Sequence, residues 1–516
     1  MELVLTFPEL MNIPGKVSDI LTQMSLHWDT LAEMPPMNAA YILTESLATF
    51  NRLPMRFDER ASWLERYQQS AQTVWDALER MFVLAPQPLK GEARSAADLA
   101  LRMCQEIVSG YKRLLNDTIT TAGNKLPESL VLSLILRIQQ VSGRILVVSV
   151  LSYQTVPAGL WCDLHQCFAF AMRKQLHNRA LQPDKPGYTL AYSYAQLVLL
   201  GLANPYSFRP EQWPILNEYI ARFSVFLELY PDLPDSPSTL KIPTMQDYPP
   251  RFPLQSTPNS PISLPRGEVC IGVNLQRVVE NLEQARGQLN NPDGPYAEYS
   301  LVERNQRQHL LEHLNRFWRG DWVRRHSRVP VSGEVELVLG VRAVAERLSL
   351  PAEQVVFKTN AILANHTSTG YAFRILGENP PALCIGELVY IYFENDPPLL
   401  ATLRWMRTAI VGEAVEFGVQ LIYGAPKPIK LRPAFDHRQG TNSPPISFQW
   451  AIQLAVEDDV PNTTRFLLAS GLCQTGQLLL AQDTDTLSLW QCADCIEQTA
   501  SLAIFHFVSA KPKASS

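Results

Sequence analysis

Arg324 and Arg328 stand four apart in the string Arg324-Arg325-His326-Ser327-Arg328, and Asn365, Thr367 and Gly370 stand together in Asn365-His366-Thr367-Ser368-Thr369-Gly370. A guanidinium fork matches phosphate oxygens, or the O6/N7 edge of guanine, through two coplanar hydrogen bonds. Its flat face also stacks on a base, which a lysine cannot do. Two such groups four residues apart can converge on one ligand whether their segment is extended or helical. Asn365 adds an amide that donates and accepts, and Thr367 a hydroxyl that does both. Gly370 suits a positive φ or a close approach of backbone. Charge-assisted hydrogen bonds of this kind contribute roughly 1.5–3 kcal/mol each.

Alone, an R-x-x-x-R string is ordinarily a solvated basic stretch. An N-x-T-x-x-G string is ordinarily a turn, because its residues favour turns for local reasons. The surroundings add the information. Strand-like runs Val331–Leu339, Gln354–Phe357 and Ala361–Ala364 separate the two strings, and Tyr371–Ile375, Leu388–Phe393, Ala401–Met406 and Phe417–Tyr423 follow them. Gly, Pro, Asn and Asp punctuate these runs, as a small antiparallel barrel requires.

With the arginine arm, the turn motif, Leu403-Arg404-Trp405 and the closing Gly418-Val419-Gln420-Leu421, residues 320–426 resemble the PilZ domain, a small β-barrel that binds the bacterial second messenger cyclic di-GMP. The resemblance implies cyclic di-GMP as ligand. Arg324 and Arg328 would grip its phosphates and guanine edges, and Asn365, Thr367 and Gly370 would read its other face. Arg325 is not one of the motif pair; it either adds to the grip or points to solvent. The family usually has Ser where this chain has Thr367, so the hydroxyl is kept and a methyl alters the fit. The resemblance also implies a signalling receptor acting in motility, adhesion, exopolysaccharide or biofilm control.

A chain of 516 residues is too long for one core, and three domains is the prior. A hydrophobic share of 46% and a charged share of 18% describe an ordinary globular protein. The net charge of −5 argues against bulk DNA binding. Arg316, Arg319, Arg324, Arg325 and Arg328 nevertheless cluster against Asp321 alone, which suits a small anion. The N-terminus lacks a basic, then apolar, leader. Ser129–Ser152 is interrupted by Arg137, Gln139, Gln140 and Arg144 and reads as a buried helix rather than a membrane span. Eight scattered cysteines show no secreted-type disulfide framework. A cytoplasmic location is expected.

The expected fold is multidomain α+β: a helical N-terminal array, a PilZ-like six-stranded antiparallel barrel and a C-terminal β-rich domain. Residues 1–230 show apolar spacing of three and four in Ala39–Leu47, Trp63–Leu78, Ala97–Leu115, Leu130–Leu151, Leu160–Leu176 and Thr189–Leu202. Ser95 and Ser129 are candidate caps. The stretches Val156–His165 and Gly201–Tyr206 look like the N-terminal regions of large PilZ-containing proteins. Ten prolines fall in 231–265, so 231–267 reads as a linker or a strap, with Leu240, Ile242, Phe252, Leu254 and Ile262 as anchors. Residues 268–319 read as a strand (Val269–Val273) and two connecting helices (Leu275–Leu289, Leu301–Trp318), the second running straight into the arginine arm. The barrel is set at 320–430. Residues 431–510 form a second β-rich domain with runs at Ile446–Ala455, Thr464–Ala469, Gln477–Ala481, Leu487–Trp490 and Ala500–Val508. Residues 511–516 read as a disordered tail.

Cys492-Ala493-Asp494-Cys495, with Cys473, invites a metal or redox reading, but no second pair completes a zinc site and the context is β-rich. Cys162 and Cys167, flanking His165, read as helix core. No phosphate loop, H-E-x-x-H or G-x-S-x-G string occurs. The expectation is a cyclic di-GMP receptor, not an enzyme, with no metal or cofactor, and with a protein partner engaged by the helical region. The rival is a PilZ-like barrel serving as scaffold in a helical adaptor that binds no nucleotide.

Overall fold

The computed structural model describes residues 3–12, 16–25, 28–122, 126–182, 184–185, 187–232, 239–252, 269–289, 291, 294, 296, 298–321, 329–351, 358–377, 379–393, 396–408, 414–434, 447–455, 463–483, 486–499 and 501–510. The chain divides into two compact units, Met1–Ala85 with Leu89–Arg325, and Pro86–Pro88 with His326–Ser516.

The first unit is mainly helical: α1 (Val17–Ser25), α2 (Pro36–Phe50), α3 (Phe57–Phe82), α4 (Gly91–Ala122), α5 (Glu128–Leu151), α6 (Leu160–Arg173), α7 (Leu190–Leu202) and α8 (Trp213–Ser224). In α3 the stripe Leu64, Tyr67, Ala71, Val74, Trp75, Leu78 and Phe82 is buried, while Asp58 and Glu59 in its first turn and Arg80 in its last oppose the helix dipole. The six helices expected from apolar spacing are all present. Short α1 and α8 were not among them. The two serine caps are corrected: α4 starts at Gly91 and α5 at Glu128, so Ser95 and Ser129 lie inside their helices, and the Ser95 hydroxyl donates back to the Gly91 carbonyl. Among the described residues α5 is long and apolar enough to cross a membrane, and its Val131, Ile135, Ile138, Ile145 and Leu146 are buried in the helical core.

A three-stranded antiparallel sheet follows, with β1 (Glu228–Pro231) and β2 (Leu240–Pro243) flanking β3 (Cys270–Asn274). The proline-rich stretch thus contributes a strand where a linker or strap was expected. Its prolines are accommodated because Pro231 and Pro243 end edge strands. Leu240 and Ile242 are buried as expected; Leu254 and Ile262 lie outside the described residues. Helices α9 (Gln276–Leu289) and α10 (Leu301–Trp318) complete the unit, and Ser300 with Glu303 forms a reciprocal capping box at the start of α10. Helix α10 is not a free connector. Leu310, Leu311, Leu314 and Trp318 belong to the same buried cluster as α7 and α8, and the Trp318 indole donates to the Leu199 carbonyl at 3.1 Å.

The second unit holds two closed six-stranded barrels. The first comprises β4 (Val329–Leu339), β5 (Thr359–Thr367), β6 (Gly370–Ile375), β7 (Leu388–Tyr392), β8 (Leu399–Thr408) and β9 (Val415–Ile422), in the order β4-β5-β6-β9-β8-β7, with α11 (Val341–Ser349) inserted after β4. That helix was not anticipated, and the expected strand Gln354–Phe357 lies outside the described residues. The second barrel comprises β10 (Ala425–Pro433), β11 (Gln449–Ala455), β12 (Thr463–Ala469), β13 (Leu478–Asp483), β14 (Thr486–Gln498) and β15 (Leu502–Ser509). Strand β10 straddles the expected domain border at 430 and pairs wholly within the second barrel. The expected disordered tail lies outside the described residues. Val341, Val344 and Ala345 of α11 pack with Leu388 and Leu400 of one barrel and Ile452, Leu454 and Leu467 of the other, so the barrels share a hydrophobic core.

Candidate functional site

The turn motif is the β5–β6 hairpin. Thr367 pairs with Gly370, the Thr367 hydroxyl donates to the Gly370 carbonyl at 3.3 Å, and the Thr369 amide donates back to that hydroxyl at 3.4 Å. The Tyr423 hydroxyl donates to the Ser368 carbonyl at 3.0 Å and steadies the tip. Of the two roles open to Gly370, the structure selects the close approach. Its φ is ordinary, and a Cβ there would lie 2.3 Å from the Val419 carbonyl oxygen.

Register fixes which residues share a face. Phe373, Phe417 and Leu403 are fully buried and point into the barrel. Strand alternation then puts Asn365 and Thr367 of β5, Gly370 and Ala372 of β6, and Gly418 and Gln420 of β9 on the outer face. A bulge between Leu403 and Trp405 brings Trp405 opposite Gly418 on that same face. The indole lies across this glycine so closely that a Cβ at Gly418 would stand 2.0 Å from Nε1. Gly370 and Ala372 thereby make a shallow floor, and the indole covers Gly418 beside it. Asn365 and Thr367 border it on one side, Trp405 and Gln420 on the other.

The floor is biased towards anions. Arg374 of β6 and Arg407 of β8 both bond Glu416 of β9 on the next row, leaving one net positive charge. Hydrogen bonding from Arg407, then from Arg374, holds the Glu416 carboxyl below the usual range, so it stays ionised and keeps both arginines in place.

Arg324, Arg325 and Arg328 lie outside the described residues. Their chain enters the barrel at Val329, which pairs with His366, and Pro330 pairs with Asn365. Residue 328 is therefore covalently one step from the strand position that sits between Asn365 and Thr367. Gln420, Arg374, Arg407 and Glu416 carry no motif that marks them in the sequence. Alternation in β6 and β9 could have placed them on one face, but only with the register known.

Other reactive groups lead elsewhere. Cys473 and Cys492 are buried in the second barrel beside Phe466, Phe505 and Phe507. A contact with Cys492, together with burial, pushes the Cys473 thiol up, and burial raises Cys495 to about 11. Thiols held protonated are poor nucleophiles and poor metal ligands. Cys167 and His165 are buried in α6. A cavity of about 310 Å³ in the helical unit lies against Thr6, Ser109 and Lys112. Its ammonium is already taken by buried Asp163 at 2.5 Å, so it is not an open anion site.

Residues 23–234 match a family model described as the N-terminal domain of the cyclic-di-GMP receptor FimW. Among curated proteins, the chain is similar to the cyclic-di-GMP receptor FimW of Pseudomonas aeruginosa, 24% identical over 322 residues. That alignment covers 61% of this chain and about half (51%) of the relative. No solved structure matches the chain.

Proposed function

Given a chain related through its helical region to the FimW-type cyclic-di-GMP receptors, we propose that it is itself a receptor for cyclic di-GMP, a binding protein rather than an enzyme, acting in the cytoplasm. The ligand lies on the outer face of the first barrel. The observation that carries this reading is the β4–β5 register, which sets Val329, the residue that follows the arginine arm in sequence, opposite His366 between Asn365 and Thr367.

The parts divide the ligand's chemistry. Arg324 and Arg328 grip phosphates and guanine edges, and Arg325 either adds to that grip or faces solvent. Asn365 and Thr367 supply neutral donors and acceptors, and the Trp405 indole, lying over Gly418, offers a flat face beside Ala372 for a base. The segment between Trp318 and Val329 joins the helical unit to the barrel, so an arm that grips the ligand can report occupancy along the chain. The helical unit passes this on to a protein partner, in the control of motility, adhesion or biofilm formation. Amide exchange across 310–330 tests the relay, which requires that saturating ligand slow it.

Calorimetric titration of cyclic di-GMP tests the receptor itself. Saturable binding is expected, weakened about tenfold to a hundredfold by Arg324→Ala or Arg328→Ala. A folded protein that gives no binding would overturn the reading and leave the barrel a scaffold.

A further inference from the structure

Gln420 occupies the register position directly across from Gly370, and Arg404 and Glu497 stand behind it. We propose that Gln420 is a further ligand-contacting residue, and that Glu497 of the second barrel is a positioning residue that sets Gln420's orientation through Arg404. The proposal rests on the reading of the outer face as a cyclic di-GMP site and gives the second barrel a part in it.

Arg404 is the extra residue of the β8 bulge and so points outward from the first barrel. Its Nε donates to Gln420 Oε1 at 3.0 Å. Its two terminal nitrogens fork onto the Glu497 carboxylate in β14, with Nη2 to Oε2 at 2.9 Å. Each of the three guanidinium nitrogens thus has a protein partner, and the two-point grip of Glu497 holds Arg404 in place.

An arginine has donors only, so the oxygen of the Gln420 amide must face it. The amide nitrogen is then turned away from Arg404, whose strand β8 flanks β9 on the side opposite β6. Gly370 contributes no side chain that could pair with it, its own Cβ position being taken by the Val419 carbonyl. Gln420 therefore presents two N–H donors at the edge of the floor, where guanine O6 and N7 or a phosphate oxygen can accept them. Without Glu497, Arg404 is free to rotate, and Gln420 loses the partner that distinguishes its two ends.

The test is calorimetry with cyclic di-GMP on the full chain and on Q420E, Q420A, E497Q and Q420A/E497Q, with thermal unfolding of each as a folding control. Q420E keeps an acceptor for Arg404 and removes the donors, so affinity falls about tenfold or more. E497Q alone weakens binding about threefold or more, yet it changes nothing further in the Q420A background, because its effect runs through Gln420. A merely structural ion pair would weaken both backgrounds equally. In the unsubstituted protein, the side-chain amide resonances of Gln420, assigned by their loss in Q420E, shift on ligand addition. Binding by the unsubstituted chain with Q420E unaffected and these resonances unmoved overturns the inference and leaves the receptor reading intact. An absence of binding by the unsubstituted chain removes both.

Discussion

Gly370 of β6 approaches the backbone of Val419 in β9 so closely that a Cβ on the glycine would stand 2.3 Å from the Val419 carbonyl oxygen. The obstructing atom is backbone and cannot rotate away. The glycine of the turn motif is thus required by packing between strands.

Gly370→Ala should therefore push β6 from β9, at a cost of about 1–3 kcal/mol, and reduce cyclic di-GMP binding to near background. Amide exchange in 370–375 and 415–422 should accelerate while that of the helical unit stays as it was. Unchanged exchange in both strands would refute the packing argument.

Asp247 caps a helix far away in sequence. Its carboxylate accepts from the Gly159, Trp161 and Cys162 amides at the start of α6, at 2.6, 3.1 and 3.3 Å. This satisfies orphan donors and opposes the helix dipole. Asp247→Ala should destabilise the helical unit by about 1–2 kcal/mol, and Asp247→Asn by less. Faster exchange of the three amides is the check.

Lys112 and Asp163 form an ion pair almost without solvent contact, at 2.5 Å, and Thr6 of the N-terminal segment also bonds the carboxylate. Lys112→Met leaves a buried charge unpaired and should cost about 3–5 kcal/mol. Adding Asp163→Asn removes the charge and should restore part of the loss. Urea midpoints of the helical unit for both variants decide this; a single variant as stable as the parent would contradict it.

His165 is fully buried, and burial lowers its pKa to about 4. Its Nε2 faces the Tyr248 carbonyl at 3.2 Å and so must carry the proton, while Nδ1 accepts from the Tyr194 hydroxyl at 2.7 Å. Between pH 4 and the ordinary value of 6.5 the unfolded chain binds the extra proton and the folded one does not. The stability this neutral ring provides is therefore complete above pH 6.5 and lost as pH falls to 4, by about 3 kcal/mol in all. Denaturation midpoints at pH 7, 5.5 and 4 should fall in that order, and His165→Gln should flatten the trend.

Much of this molecule can be read from local pattern. Apolar spacing marks α2 to α4 because each buries a stripe, the more fully buried α6 and α7 show as largely apolar runs, and alternating runs mark most barrel strands because each buries one face. The Asn365–Gly370 hairpin is announced by its turn residues. The boundaries were less legible. Helix α11 interrupts a stretch that otherwise reads as strands, and β2 forms among prolines because its last residue ends an edge strand.

The sequence by itself determined the residue types able to hold a guanine nucleotide, their order, and the division into helical and β-rich regions. Only the tertiary structure decided that Val329 enters beside His366, that Trp405 lies over Gly418, and that Gln420 stands opposite Gly370. It alone joined Arg404 to Glu497 and made α10 part of the helical core. The physical reason is that periodicity is set by a segment's own geometry, whereas register, barrel closure and capping by a distant carboxylate depend on partners tens of residues away. A shift of one residue in a strand pair would turn every one of these side chains to the opposite face.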